Sequence, residues 1–185
     1  MWTKDEWFPI IQSRMTEKRY VHTLGVAETA MELAKIYGED VQKAEIAGLL
    51  HDICKYADKA WMADQIKAHH LDATLLDFHH ELWHGPVGSV VARDEFGVED
   101  EDIRNAIHYH TSGRAGMSKL EKIIYVADMI EPNRNYPKVE KLRDLAHKDL
   151  ELAMRYGVRH TLQHLIKQKQ TVYPDSLFCY NACWT

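Results

Sequence analysis

No stretch of this chain stays apolar for the roughly 20 residues that a membrane-spanning helix requires. The first residues, with Lys4, Asp5 and Glu6 among them, also lack the basic-then-apolar order of a secretory signal. These absences point to a cytoplasmic protein. Cysteine is scarce: Cys54, Cys179 and Cys183 make no even-numbered disulfide framework, and in a reducing compartment they remain thiols. Cys179 and Cys183, four apart, would make half a zinc site, but no second pair accompanies them and packing is their expected role. Basic charge is not in excess either. The formal net charge of -5 argues against a general nucleic-acid binder and for a small, local site. Repeats of about 20–50 residues, low-complexity tracts and linkers are missing, so residues 1–185 are expected to form a single domain.

What the sequence does have is a helical period. Apolar residues recur at three- and four-residue intervals and nowhere alternate convincingly, which predicts an all-α fold. A long helix is expected from Thr16 to Tyr37, stopped by Gly38, with His22, Val26, Ala30 and Leu33 on one face. A second starts after Asp40 and runs into the pair His51-Asp52. Trp61 to Phe78 reads as an interrupted helix. Val87 to Phe96 reads as another, with Pro86 at its first position, His84 at its N-terminus and Gly97 beyond its end. Asp100 caps a helix that aligns His110 with Ile103 and Ile107. Ser118 and Glu121 have capping-box spacing ahead of a stripe ending in Asp128. Runs at Val139 to Met154 and Val158 to Lys167 follow, and Ser176 begins a last short turn.

Twelve histidines are unusual, and their placement carries the chemistry. His22, His51-Asp52 and Asp128 each sit on an otherwise apolar helix face, where an unpartnered polar group costs roughly 2–7 kcal/mol and a charge more. A shared cation would partner them. Imidazole and carboxylate donors together suit iron, manganese, zinc or nickel, and would leave positions for water and a phosphate oxygen. Consecutive helical side chains diverge by about 100°. His51 and Asp52 can therefore reach one ion only near a helix end or around a large ion, and Asp52 is well placed to bridge to a second. His84 and His110, at helix ends beside Gly85 and the Thr111-Ser112-Gly113 turn, are candidates for a second metal or for its surroundings.

These residues resemble a known family. The order His22, His51-Asp52, Asp128 is similar to the signature of HD-domain phosphohydrolases. The strings His51-Asp52-Ile53-Cys54-Lys55-Tyr56, His84-Gly85-Pro86-Val87-Gly88, Tyr109-His110-Thr111-Ser112-Gly113-Arg114 and Ala127-Asp128-Met129-Ile130-Glu131-Pro132-Asn133-Arg134 look like the YqeK branch, over about Arg14 to Asn181. The resemblance implies an HD-domain helical bundle with a central metal site. It also implies a bacterial cytosolic enzyme, with one or two iron ions or another divalent metal such as manganese, that splits diadenosine tetraphosphate into two ADP. It assigns His22, His51, Asp52 and Asp128 as metal ligands. His84 and His110 would face a second metal or the phosphates. The tail Tyr173-Pro174-Asp175-Ser176 departs from the family's form, while Asn181 fits; Pro174 and Asn181 are the nucleoside-side candidates.

In such a site Asp52 orients the nucleophile, with Lys55, His84 and His110 beside it. Arg19, Lys55 and Arg134 are candidates for phosphate oxygens, and the amides near Thr111 and Gly113 could meet an anion. His69, His70, His79, His80, His147, His160 and His164 read as ordinary surface or packing residues. The tryptophans, Trp2, Trp7, Trp61, Trp83 and Trp184, read as packing, with Trp83 worth testing against adenine. The aromatic-rich ends suggest a homodimer. Two other functions remain open: hydrolysis of a different nucleotide (nucleoside triphosphate, guanosine alarmone or nucleoside monophosphate), and a non-catalytic nucleotide-binding module.

Overall fold

The computed structural model describes residues 4–184; Trp2 lies outside them. Among the described residues there are ten α-helices and no strand. The helices are α1 (Lys4–Ser13), α2 (Glu17–Tyr37), α3 (Val41–Leu50), α4 (Lys59–Ala68), α5 (His84–Asp94), α6 (Glu101–Tyr109), α7 (Lys119–Ile130), α8 (Val139–Ala146), α9 (Leu150–Lys167) and α10 (Pro174–Ala182). Two 3-10 turns, Ala73–Asp77 and His80–Leu82, link α4 to α5.

Local chemistry sets most of the boundaries. Thr16 and Asp40 accept hydrogen bonds from the first free amides of α2 and α3, and Gly38 takes the left-handed conformation that ends α2. Asp100 caps α6 in the same way. Ser118 caps α7, but the capping box is only half formed. Glu121 turns instead to Arg114, whose Nε and Nη2 donate to its two oxygens at 2.9 and 2.6 Å.

Several expected boundaries move. α1 is an addition to the expected helices: Pro9 lies inside it, and Trp7 and Ile11, one turn apart, are its buried face. α4 stops at Ala68, with His69 as its C-cap and His70 at a φ of 52°, so Trp61 to Phe78 is not one helix. α5 begins at His84, which moves Pro86 from the first helical position to the third, still within the turn where a missing N–H is harmless. Val139 to Met154 divides because Asp149 caps α9 anew. α10 starts at Pro174, two residues before Ser176.

The core lies where α2, α3, α5, α6 and α7 meet, with α8 and α9 packed on α7. Val26, Ala30, Leu33, Leu50, Val87, Ile107, Ile123, Ile124 and Ala127 are fully buried there. Each of these five central helices, or the turn at its end, also contributes at least one histidine or aspartate to a single polar cluster.

Candidate metal centre

His51 is the residue following α3, and Asp52 begins the turn after it. There the helix tightens into a turn, with Ile53 N–H donating to Leu50 O at 3.1 Å, and both side chains face inward: His51 Nε2 lies 3.2 Å from Asp52 Oδ2. α2 brings His22, whose Nε2 is 3.7 Å from Asp52 Oδ2 and 3.0 Å from Asp128 Oδ1 on α7. From the other side come His84, opening α5, and His110, closing α6, with Nε2 atoms 3.1 and 3.8 Å from Asp52 Oδ1. Two triads result, His22–His51–Asp52 and Asp52–His84–His110, each with ligand atoms close enough for one cation. The two oxygens of Asp52 belong to different triads.

The outer ring nitrogens fix how three of the imidazoles are presented. His51 Nδ1 donates to Gly48 O at 2.7 Å, and His110 Nδ1 donates to Ile107 O at 2.7 Å. His22 Nδ1 is 3.0 Å from the Glu131 carboxylate. A proton on each Nδ1 leaves the Nε2 lone pair facing the cluster, which is the form that binds a metal. His22 Nε2 and His51 Nε2 are buried and make no hydrogen bond, although carboxylate oxygens lie within 3.2 Å. Across the other triad, His84 Nε2 and His110 Nε2 approach to 3.1 Å. Lone pairs do not face one another, or a carboxylate, unless a proton or a cation lies between them. The residues present therefore fit divalent cations of the transition series.

Charge agrees with this geometry. Burial works to raise the pKa of Asp52, but His51 and His84 outweigh it and hold the carboxyl well below the usual range. Asp128 is likewise well below it, burial being overcome by Arg134, His22 and His51. Burial works to lower the pKa of His51, and Asp52 and Asp128 more than reverse it. His110 goes the other way, down to about 3, through burial and the neighbouring His84 and His51, so it stays neutral as a ligand must.

The arginines singled out in the sequence are here. Arg19 Nη1 donates to Asp52 Oδ2 at 2.8 Å, and Arg134 Nη2 to Asp128 Oδ1 at 2.6 Å. Lys55 is less direct: its Nζ pairs with Glu81 at 2.5 Å, and it lines a cleft shared with His84. Thr111 Oγ1 sits 3.1 Å from His110 Nε2. Gly113 is placed differently from the expectation of an anion loop. Its N–H is already committed to Tyr109 O at 2.8 Å, and its left-handed backbone packs so tightly on Cys179 that a Cβ would stand 2.6 Å from the sulfur. Pro174 and Asn181 are both exposed on α10 and are in neither triad nor in the clefts that open onto them. Trp83 spends its indole N–H on Leu75 O at 2.7 Å, so it ties the 3-10 segment to α5.

Glu131 was overlooked, although it stands in the quoted string three residues after Asp128. It is 1% exposed, and Asn133 donates to its Oε2 from both the backbone and the side chain. Gly25, on α2, makes room for it: a Cβ there would be 2.7 Å from Glu131 Oε2. The sequence offers only spacing, Glu131 three residues after Asp128 and Gly25 three after His22, and spacing alone does not say that the two meet.

Helices packed round a buried histidine–aspartate cluster of this order define the class of HD-domain phosphohydrolases, and the HD domain profile matches residues 19–133. The chain is 48% identical to the symmetrical bis(5'-nucleosyl)-tetraphosphatase of Bacillus subtilis, across 96% of each chain. It is 47% identical to the enzyme of that name from Halalkalibacterium halodurans, across 93% of this chain and 92% of that one. A crystal structure from Clostridium acetobutylicum, described as a predicted HD superfamily hydrolase involved in NAD metabolism, superposes with a TM-score of 0.95 at 37% identity, covering 100% of this chain and 98% of that one. The chain belongs to the HD-domain family, in its YqeK branch.

Proposed function

We propose that this protein is a metal-dependent hydrolase that splits diadenosine tetraphosphate and one water into two ADP. The observation that carries the reading is Asp52, a buried carboxylate whose two oxygens face two separate ligand triads. The names of the relatives supply the substrate.

His22, His51, Asp52 and Asp128 would hold one cation, and His84 and His110, with Asp52, a second; by resemblance the metal is iron, and manganese suits the same donors. Bound cations would supply Lewis-acid withdrawal of charge from the phosphate and lower the pKa of water at the site. The chain's own part is positioning and charge. Glu131, Gly48 O and Ile107 O hold three imidazoles in one tautomer. Asp52 orients the attacking water. Arg19 and Arg134 each have guanidinium N–H groups beyond those given to Asp52 and Asp128, and these meet phosphate oxygens. Lys55 reaches the phosphates by leaving Glu81, an exposed partner whose loss costs little. Thr111 steadies His110. Gly113, Pro174 and Asn181, the remaining sequence candidates for substrate contact, lie outside both triads.

No described helix is long and apolar enough to cross a membrane. The free thiols of Cys54, Cys179 and Cys183 accord with a reducing cytoplasm. A homodimer has support in the exposed Leu177, Phe178 and Trp184 near the C-terminal end.

The test is chromatography of the products after anaerobically iron-loaded protein meets diadenosine tetraphosphate, with Asp52→Ala alongside. ADP alone, lost in the variant, is expected. ATP plus AMP would overturn symmetrical attack, and absence of turnover would overturn the substrate.

A further inference from the structure

Two clefts open onto the cluster, and they are nearly equal in volume. One, of about 540 Å³, is lined by Lys18, Arg19, His22, Tyr56, Arg134 and Tyr136, among others. The other, of about 510 Å³, is lined by Arg19, Lys55, Tyr56, Lys59, His80 and His84. The first therefore borders one ligand triad through His22, and the second borders the other through His84. Only two residues line both: Arg19, whose guanidinium is on Asp52, and Tyr56, whose ring is 54% exposed on the ridge between them.

We infer that each cleft holds one nucleoside half of the same dinucleotide, with Arg19 and Tyr56 standing beside the middle of the phosphate chain. The inference rests on the function proposed above and adds the second nucleoside site and the reason for cleavage at the centre. Both clefts are of ligand-pocket size. Both are rimmed by cations, Lys18 and Arg134 in one, Lys55 and Lys59 in the other, as an anionic chain running through both requires. Each offers an aromatic face at its border, and aromatic faces stack on any base. With Asp52 between the two triads, a substrate whose halves are alike would have its central anhydride bond beside Asp52 and the cations that the triads would hold. A mononucleotide would occupy one side alone. His80, expected to be only a surface residue, becomes part of the second nucleoside site.

The experiment is titration calorimetry of the metal-loaded protein with ADP, the product that would remain in each cleft, for the native chain and for two cleft-filling variants. Asn135→Trp fills the first cleft and Lys59→Trp the second, both from exposed positions, with Lys59→Ala to separate charge from bulk. Two ADP per chain are expected, falling to one in either filled variant, whereas Lys59→Ala keeps two and holds the one in its own cleft more weakly. Each filling should also lower kcat/KM for diadenosine tetraphosphate by about tenfold or more, the loss of one stacked base. One ADP per native chain, or a filled cleft that leaves both readouts unchanged, would overturn the inference. Native protein that binds two ADP yet never turns over the dinucleotide would instead sink the proposed function and leave the two nucleoside sites standing.

Discussion

At the scale of single residues, the cluster works because of what stands behind the ligands. His22 presents Nε2 inward only while Nδ1 has a carboxylate to donate to, and Glu131 is that carboxylate, itself held by Asn133. Partners of this kind typically contribute about 10–100-fold to metal affinity. Glu131→Gln, which keeps the shape but removes the charge, should weaken metal binding by that factor with the fold intact. Competition against a coloured chelator would measure it, and unchanged affinity would show that Gly25 and Asn133 merely pack around an idle side chain. Asp52 and Asp128 were legible in the sequence as carboxylates on apolar faces. Glu131 was not, because nothing local says that a side chain three residues after a ligand will reach across to α2.

At the scale of elements, helix ends do most of the work. His51, His84 and His110 all sit where a helix starts or stops, so the change of backbone course at each end lets the three imidazoles converge from different helices. The link between α6 and α7 is held differently. Arg114 stacks over the Tyr109 ring at 4.6 Å and makes a two-pronged pair with Glu121, which is 1% exposed. Removing one partner of a buried pair costs about 3–5 kcal/mol. The Arg114 side chain is 34% exposed, so the loss in Arg114→Ala should be nearer about 2 kcal/mol. Urea unfolding would read it, and a midpoint unchanged from the native protein would mean that Glu121 finds solvent or another donor. Sequence reading assigned Glu121 to a capping box because spacing is all that a sequence shows; the guanidinium seven residues earlier wins because it offers two charge-assisted bonds in place of one.

At the scale of the whole molecule, five helices converge on a cluster in which His22 Nε2 and His51 Nε2 are buried without a hydrogen bond, so a cation that takes their lone pairs couples metal binding to the fold. A cation at a hundredfold its dissociation constant should add about 2.7 kcal/mol to stability, seen as a rise in Tm on loading the stripped protein. The gain has a defined pH dependence. In the metal-free protein the pKa of His51 is raised above 6.5, so its proton stabilises the fold below that value and is lost as pH rises through the raised one. A cation must displace that proton, so the increment in Tm from metal should shrink as the pH falls below the raised pKa. Asp52 and Asp128 act with opposite sign. Their carboxyls are depressed below 3.8, and the stability they give is present above that value and disappears only in stronger acid. A metal-induced rise in Tm that grew towards acid would contradict the assignment of His51 as a ligand.

The sequence by itself determined that the chain is helical, where α2, α3, α6 and α7 begin, and that His22, His51 and Asp52 would be buried. Those follow from periodicity, capping residues and the cost of stranding a polar group on an apolar face. It could not decide that Gly113 is spent on packing against Cys179, that α10 carries Pro174 and Asn181 outside both clefts, or that Glu131 stands behind His22. Nor could it show two clefts of similar volume meeting at Arg19 and Tyr56. Each of these depends on distances between residues far apart in the chain, which only the packing of one helix against another sets.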